Sequence, residues 1–132
     1  MSAKTLLSLV PACLLLCACA SGGAKTEVSP LVGKYQAGET VAIFNPDGTF
    51  EGTTTQNETW VRGNYTLNGN EVTLDDTWES DGLLKQMGKS CMGTKGRYRW
   101  ALEGDVLVAT VIDDACEGRR KGTDGVRWTR MP

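Results

Sequence analysis

Histidine is missing from all 132 residues, and that absence excludes more chemistry than any motif supplies. Without imidazole the chain has no side chain that ordinarily exchanges a proton near neutral pH, no Ser-His or Cys-His nucleophile pair, and none of the commonest metal ligand. An excess of one charge is missing too: 14 Lys and Arg face 16 Asp and Glu, a formal net charge of -2, with no block of either sign. A nucleic-acid surface needs clustered Lys and Arg. The one basic cluster, Arg119-Arg120-Lys121, is short and lies between Gly118 and Gly122, which reads as a solvated turn, so no nucleic-acid partner is expected. No Cys-x-x-Cys spacing marks a redox pair, and no two acids are placed by a recognisable catalytic motif. Neither an enzyme nor a cofactor is expected on these grounds. Long apolar runs are absent but for one. Residues 6–16 are apolar apart from Ser8 and Pro11, short of the about 20 residues that a membrane-crossing helix needs.

That run follows a short polar start carrying Lys4 and gives way abruptly to Ser21-Gly22-Gly23, the pattern of a removable export signal. At its end, Leu16-Cys17-Ala18-Cys19 resembles the bacterial lipobox, Leu and two small residues before a Cys, with Cys17 as a departure in the middle. The resemblance implies that residues 1–18 are removed and that Cys19 is lipidated and becomes the new N-terminus. It also implies a bacterial envelope location. Ala20 and Ser21, rather than Asp, follow Cys19, which by the same resemblance favours the outer membrane. More than one acyl chain suffices for stable anchoring, so the membrane is the first expected partner. Residues 19–30 are mostly small or polar and read as a tether, about a dozen flexible residues reaching roughly 20 Å. Residues 31–132 are the size of one domain with a single core.

With Cys19 acylated, Cys91 and Cys116 remain in a compartment that permits disulfides, and a bridge between them is the natural reading. It would close a loop of about 25 residues and contribute roughly 3–4 kcal/mol on the chain-entropy estimate.

From Leu31 onward short alternating or apolar runs are separated by turn residues, the mark of an all-β fold. Strands are expected at 33–35, 41–44, 49–55, 60–67, 71–75, 97–102, 106–112 and 126–130, with Asn45-Pro46-Asp47-Gly48 and Asn68-Gly69-Asn70 as hairpin turns. Residues 77–92, with Trp78, Leu83, Leu84 and Met87 as apolar anchors, read as a loop or short edge strand, and 113–124 as turn-like. About eight antiparallel strands in hairpin order remove their edges by closing into an up-and-down barrel, either filled by side chains or holding one small ligand.

The order of parts, Gly33-Lys34-Tyr35 on the first strand and Trp128-Thr129-Arg130 on the last, resembles the lipocalin-like or calycin group of small barrels. There a Gly-x-Trp packs on an Arg of the last strand; here Tyr35 stands in place of that Trp. Asp47-Gly48-Thr49-Phe50 followed by Gly63-Asn64-Tyr65 is similar to small secreted bacterial members of the group. The resemblance implies a barrel that binds a small apolar or amphipathic ligand.

Tyr35, Trp60, Tyr65, Tyr98, Trp100 and Trp128 are the candidate ligand-lining set, and the same spacing equally describes a filled core. Asp114 and Arg119 are expected to pair across a tight turn at the barrel rim; the alternative is that Arg119 offers its guanidinium to an anionic ligand. Asp75, Asp76, Glu79 and Asp81 lack the regular spacing of a calcium loop and read as solvated, so no metal site is expected. Two functions are carried forward: a lipid-anchored barrel that binds a small molecule, and a protein-interaction, inhibitor or envelope structural module acting through loop 77–92, with its protein partner unidentified.

Overall fold

Turn chemistry fixes the hairpins before anything else does. In the Asn45–Gly48 turn the Asp47 carboxylate accepts the Thr49 backbone N–H at 2.9 Å, and Gly48 takes a φ of +87° that favours glycine. A computed structural model describes residues 28–132 of the chain. The export signal, Cys19 and all of the tether before Val28 lie outside the described residues. β1 (Gly33–Ala37), β2 (Thr40–Phe44), β3 (Thr49–Thr54), β4 (Thr59–Asn68) and β5 (Glu71–Glu79) follow one another as antiparallel hairpins. α1 (Asp81–Met87) leads to β6 (Gly96–Glu103) and β7 (Val106–Asp113), and α2 (Glu117–Thr123) to β8 (Arg127–Arg130).

The eight strands form a closed antiparallel barrel in simple chain order. Closure rests on a short pairing of β1 with β8, Tyr35 opposite Arg130 and Gln36 opposite Thr129, which leaves no unpaired edge. Inward residues alternate as a pleated strand requires: Val72 and Leu74 on β5, Leu107 and Ala109 on β7, Phe50 on β3 and Trp128 on β8 belong to one buried cluster.

The two ends differ in their connections. At one end lie the turns at 45–48, 69–70 and 104–105; at the other, the chain leaves β5 and β7 into segments carrying α1 and α2. Cys91 and Cys116 are joined, Cα to Cα 5.4 Å, tying those two segments together.

Two expectations are corrected here. Residues 77–92, expected as a loop or short edge strand, carry a helix: β5 runs on to Glu79, Ser80 then caps α1, its hydroxyl accepting the Leu83 N–H at 3.1 Å, and Gly88 ends the helix at φ +73° before an irregular stretch to Met92. Residues 113–124 are not a turn. α2 forms there despite Gly118 and Gly122, because Gly118 lets α1 approach; a Cβ at 118 would come within 2.8 Å of the Met87 thioether. Helix–helix packing and the disulfide hold a segment that propensity alone would leave unformed.

Candidate functional site

The apolar inner faces of the strands do not meet. Between them lies a cavity of about 680 Å³, bounded by Leu83, Gln86 and Met87 of α1 and by residues 117–119 and 121–123 of α2 at the mouth. That volume falls within the roughly 300–1,000 Å³ of small-molecule sites.

Four of the six candidate aromatics, Trp60, Tyr98, Trp100 and Trp128, stand on its wall. Tyr35 and Tyr65 do not, which corrects their assignment as ligand-lining. They form a plug beneath Leu31 and Phe44, with Phe44 edge-on to Tyr35 at 6.3 Å and to Tyr65 at 5.2 Å between ring centroids. The Tyr35 hydroxyl donates to the Leu31 carbonyl at 2.9 Å and accepts from Arg130 Nη2 at 2.8 Å, and the Arg130 guanidinium lies 5.0 Å from the Tyr35 ring centroid. Tyr65 donates to the Asn45 carbonyl. Burial pushes both phenols up, with Arg130 partly opposing it at Tyr35. The interior is thus filled at the plugged end and hollow towards the mouth. A period-2 pattern looks the same in both halves.

Polar residues converge at the mouth. β5 alternates Val72, Leu74, Asp76 inward, and the irregularity opposite Arg62 and Gly63 places one extra residue on β5, so Glu79 also turns in. Both carboxyls are buried, which corrects the reading of Asp76 and Glu79 as solvated, while Asp75 is half-buried and Asp81 exposed. Asp114, just past β7, accepts hydrogen bonds from Arg119 Nε and Nη2, both at 2.8 Å, from the Cys116 N–H at 2.9 Å and from the Tyr98 hydroxyl. Arg119 is buried rather than solvated and also donates to the Thr94 carbonyl at 2.6 Å. The Asp114–Arg119 pair therefore sits within the barrel mouth, not on an exposed rim. Gly96 makes room for it, since a Cβ there would stand 2.7 Å from the Asp114 carboxyl carbon and 3.0 Å from Arg119 Nε.

The remaining guanidinium nitrogen, Nη1, faces Asp76 Oδ1 at 3.1 Å, out of line for a hydrogen bond. Glu79 accepts from the Ser90 hydroxyl and from the Cys91 N–H at 3.0 Å. Two carboxyls, Asp114 and Asp76, thus share one guanidinium, with Glu79 close beside Asp76, and their electrostatics diverge. Burial raises the Asp114 carboxyl, yet its hydrogen bonds from Arg119, Tyr98 and Cys116 outweigh that and hold it below the ordinary range. Asp76 is raised, first by burial and then by its neighbours Glu79 and Asp114, with Arg119 only partly opposing. Burial, reinforced by Asp114, drives the Tyr98 phenol up; at Arg119, burial works against the charge and is overcome by Asp114 and Asp76.

Asp76, Glu79 and Cys91 bring oxygen and sulfur atoms within 4.8 Å of one another. Cys91 is bridged to Cys116 and offers no thiolate, and the Arg119 guanidinium lies against Asp76, so these donors do not fit a cation site. Sequence reasoning missed Asp76, Glu79 and the inward Phe50; the run Val72-x-Leu74-x-Asp76 already carried the signal for Asp76.

No family model, no curated protein and no solved structure matches the chain, so what the cavity accepts follows from its own lining.

Proposed function

We propose that this protein is a lipid-anchored envelope lipoprotein whose barrel binds a small apolar or amphipathic molecule. The observation that carries the binding reading is the hollow half of the barrel: about 680 Å³ walled by Trp60, Tyr98, Trp100 and Trp128 with aliphatic neighbours, and a polar cluster confined to the mouth. Small-molecule sites have this composition, a mostly apolar wall with a few convergent polar groups. The closed eight-strand barrel and the Arg130 guanidinium lying on Tyr35 support a place among lipocalin-like proteins. The lipobox-like Leu16-Cys17-Ala18-Cys19 supports the anchor. Binding rather than turnover is the proposed activity, since Asp114 and Arg119 are locked in mutual hydrogen bonds instead of facing a reacting group.

Native mass spectrometry of the protein isolated from its own host, followed by solvent extraction, is expected to reveal a co-purifying small molecule. An empty barrel in every preparation would overturn the binding reading. Cys19→Ala is expected to move the protein from the membrane fraction to the soluble one, and retention at the membrane would overturn the anchor.

A further inference from the structure

Some residues of the cavity wall are themselves exposed, and they mark its opening: Thr40 at the start of β2, Gln86 on α1, and Glu117, Lys121 and Gly122 on α2. Behind this rim the buried charged groups are already matched. Arg119 is held by Asp114 and Asp76, and Glu79 by the Ser90 hydroxyl and the Cys91 N–H. Deeper in, the wall is aromatic and aliphatic as far as Phe44 and Phe50. A charged or strongly polar head group carried inside would lose its water and find no free charge to replace it, a large cost. The polar part of a ligand therefore belongs in solvent, where the rim itself is polar.

Gly122 shows where such a ligand crosses the rim. A glycine inside a helix costs stability relative to alanine, so it stands where backbone conformation, packing or a site demands it. Gly118 has a packing reason, since a Cβ there would come within 2.8 Å of the Met87 thioether. Gly122, four residues on and so on the same face of α2, has neither of the structural reasons: its φ is not left-handed, and a Cβ would meet no atom within 4 Å. What it leaves is open space on the face of α2 that meets α1. That space lies on the cavity wall and is exposed to solvent at once.

We propose that Gly122 keeps a gap in the mouth for the neck of a bound amphiphile, whose apolar chain lies inside the barrel and whose head group stays in solvent. This rests on the reading of the barrel as a binding site and narrows it to molecules with one slim chain and a head group of unrestricted size. A side chain at 122 would stand in the neck's place. One at Gly82, an exposed glycine of α1 that does not line the cavity and whose Cβ would meet only the Ser80 hydroxyl oxygen at 3.9 Å, would not.

The test titrates decanol and decyl maltoside, one chain length with a small and a bulky head, as monomers into the full disulfide-bonded chain carrying Cys19→Ala so that no acyl chain of its own competes. Tryptophan emission and calorimetry report binding. Decyl maltoside is expected to bind within about threefold of decanol, because its head remains outside. Gly122→Leu is expected to raise the melting temperature by removing a helical glycine and yet to weaken decyl maltoside at least about tenfold, as overfilling an occupied space implies. Gly82→Leu is expected to leave that affinity unchanged. Binding of decanol without decyl maltoside, or a decyl maltoside affinity that Gly122→Leu leaves unchanged or that Gly82→Leu lowers as much, would overturn the proposal while leaving the barrel a binding site. Failure of both probes to bind would overturn both.

Discussion

Each end of the barrel has a buried or half-buried arginine set among aromatic and polar partners, and the two are used in opposite ways. At the plugged end Arg130 lies on the Tyr35 ring and donates to the Pro30 and Val32 carbonyls, so among the described residues its charge meets neutral groups. At the mouth Arg119 faces Asp114 and Asp76 in near-complete burial. The first arrangement closes a barrel whose β1–β8 seam is only two residue pairs long. The second fixes charge around an opening. An isolated cation on an aromatic face adds about 0.5–2 kcal/mol, whereas a buried ion cluster adds little net stability yet is costly to break. The plugged end is therefore a structural seal, whereas the mouth holds a buried charge cluster that is costly to break.

Breaking the mouth should have the largest effect. Arg119→Met leaves Asp114 and Asp76 buried without their shared cation, and a loss of about 3–5 kcal/mol is expected in denaturant unfolding. A loss under about 1 kcal/mol would mean that the cluster is hydrated and not the ordered centre of the mouth. Replacing both Cys91 and Cys116 by Ser releases α1 from α2 and should cost roughly 3 kcal/mol by the loop-entropy estimate. Hydrogen exchange should then rise first in residues 80–95 and 114–126, with β1 to β4 unchanged. Equal loss of protection at both ends would erase the contrast.

At the plugged end Arg130→Gln should cost about 1–2 kcal/mol and leave probe affinity unchanged, since Arg130 does not line the cavity. The smallest effect, and the most diagnostic, is the pH dependence of Asp76. Its folded-state pKa lies above the ordinary 3.8, so its ionisation works against folding: the stability it allows is fully present below 3.8 and falls as pH rises through its raised folded value. Asp114, held below 3.8, has the opposite sign and loses its contribution as pH falls through its lowered value. Asp76→Asn should therefore raise the melting temperature near neutral pH and have no such effect in acid below 3.8. A variant less stable than the native protein near neutral pH would show that Arg119 fully compensates Asp76.

Much of the wall was legible because its signals are local. Gly48 and Gly69 sit at positive φ in tight turns, and Val72, Leu74, Tyr98 and Leu107 point inward by simple alternation. α1 was not read from the sequence: its end signals, Ser80 as an N-cap and Gly88 as a left-handed stop, flank only seven residues, too few for a helical period to show. α2 carried two glycines and no such signal. The candidate site was half visible: Trp60, Tyr98, Trp100 and Trp128 from their strands and Asp114 and Arg119 as a pair, whereas Asp76, inward by the same alternation, was read as part of a solvated acidic run.

By itself the sequence determined the eight strands in hairpin order and the turns at 45–48 and 68–70, because each depends on residues near one another. Only the tertiary structure decided that the barrel is plugged at Tyr35 and Tyr65 and hollow beneath α1 and α2, and that Arg119 is buried between Asp76 and Asp114. Alternation tells which way a side chain points, not how far it stands from the strand across the barrel. The cost of burying a charge is likewise set by partners such as Asp76 and Arg119, brought to 3.1 Å from distant parts of the chain.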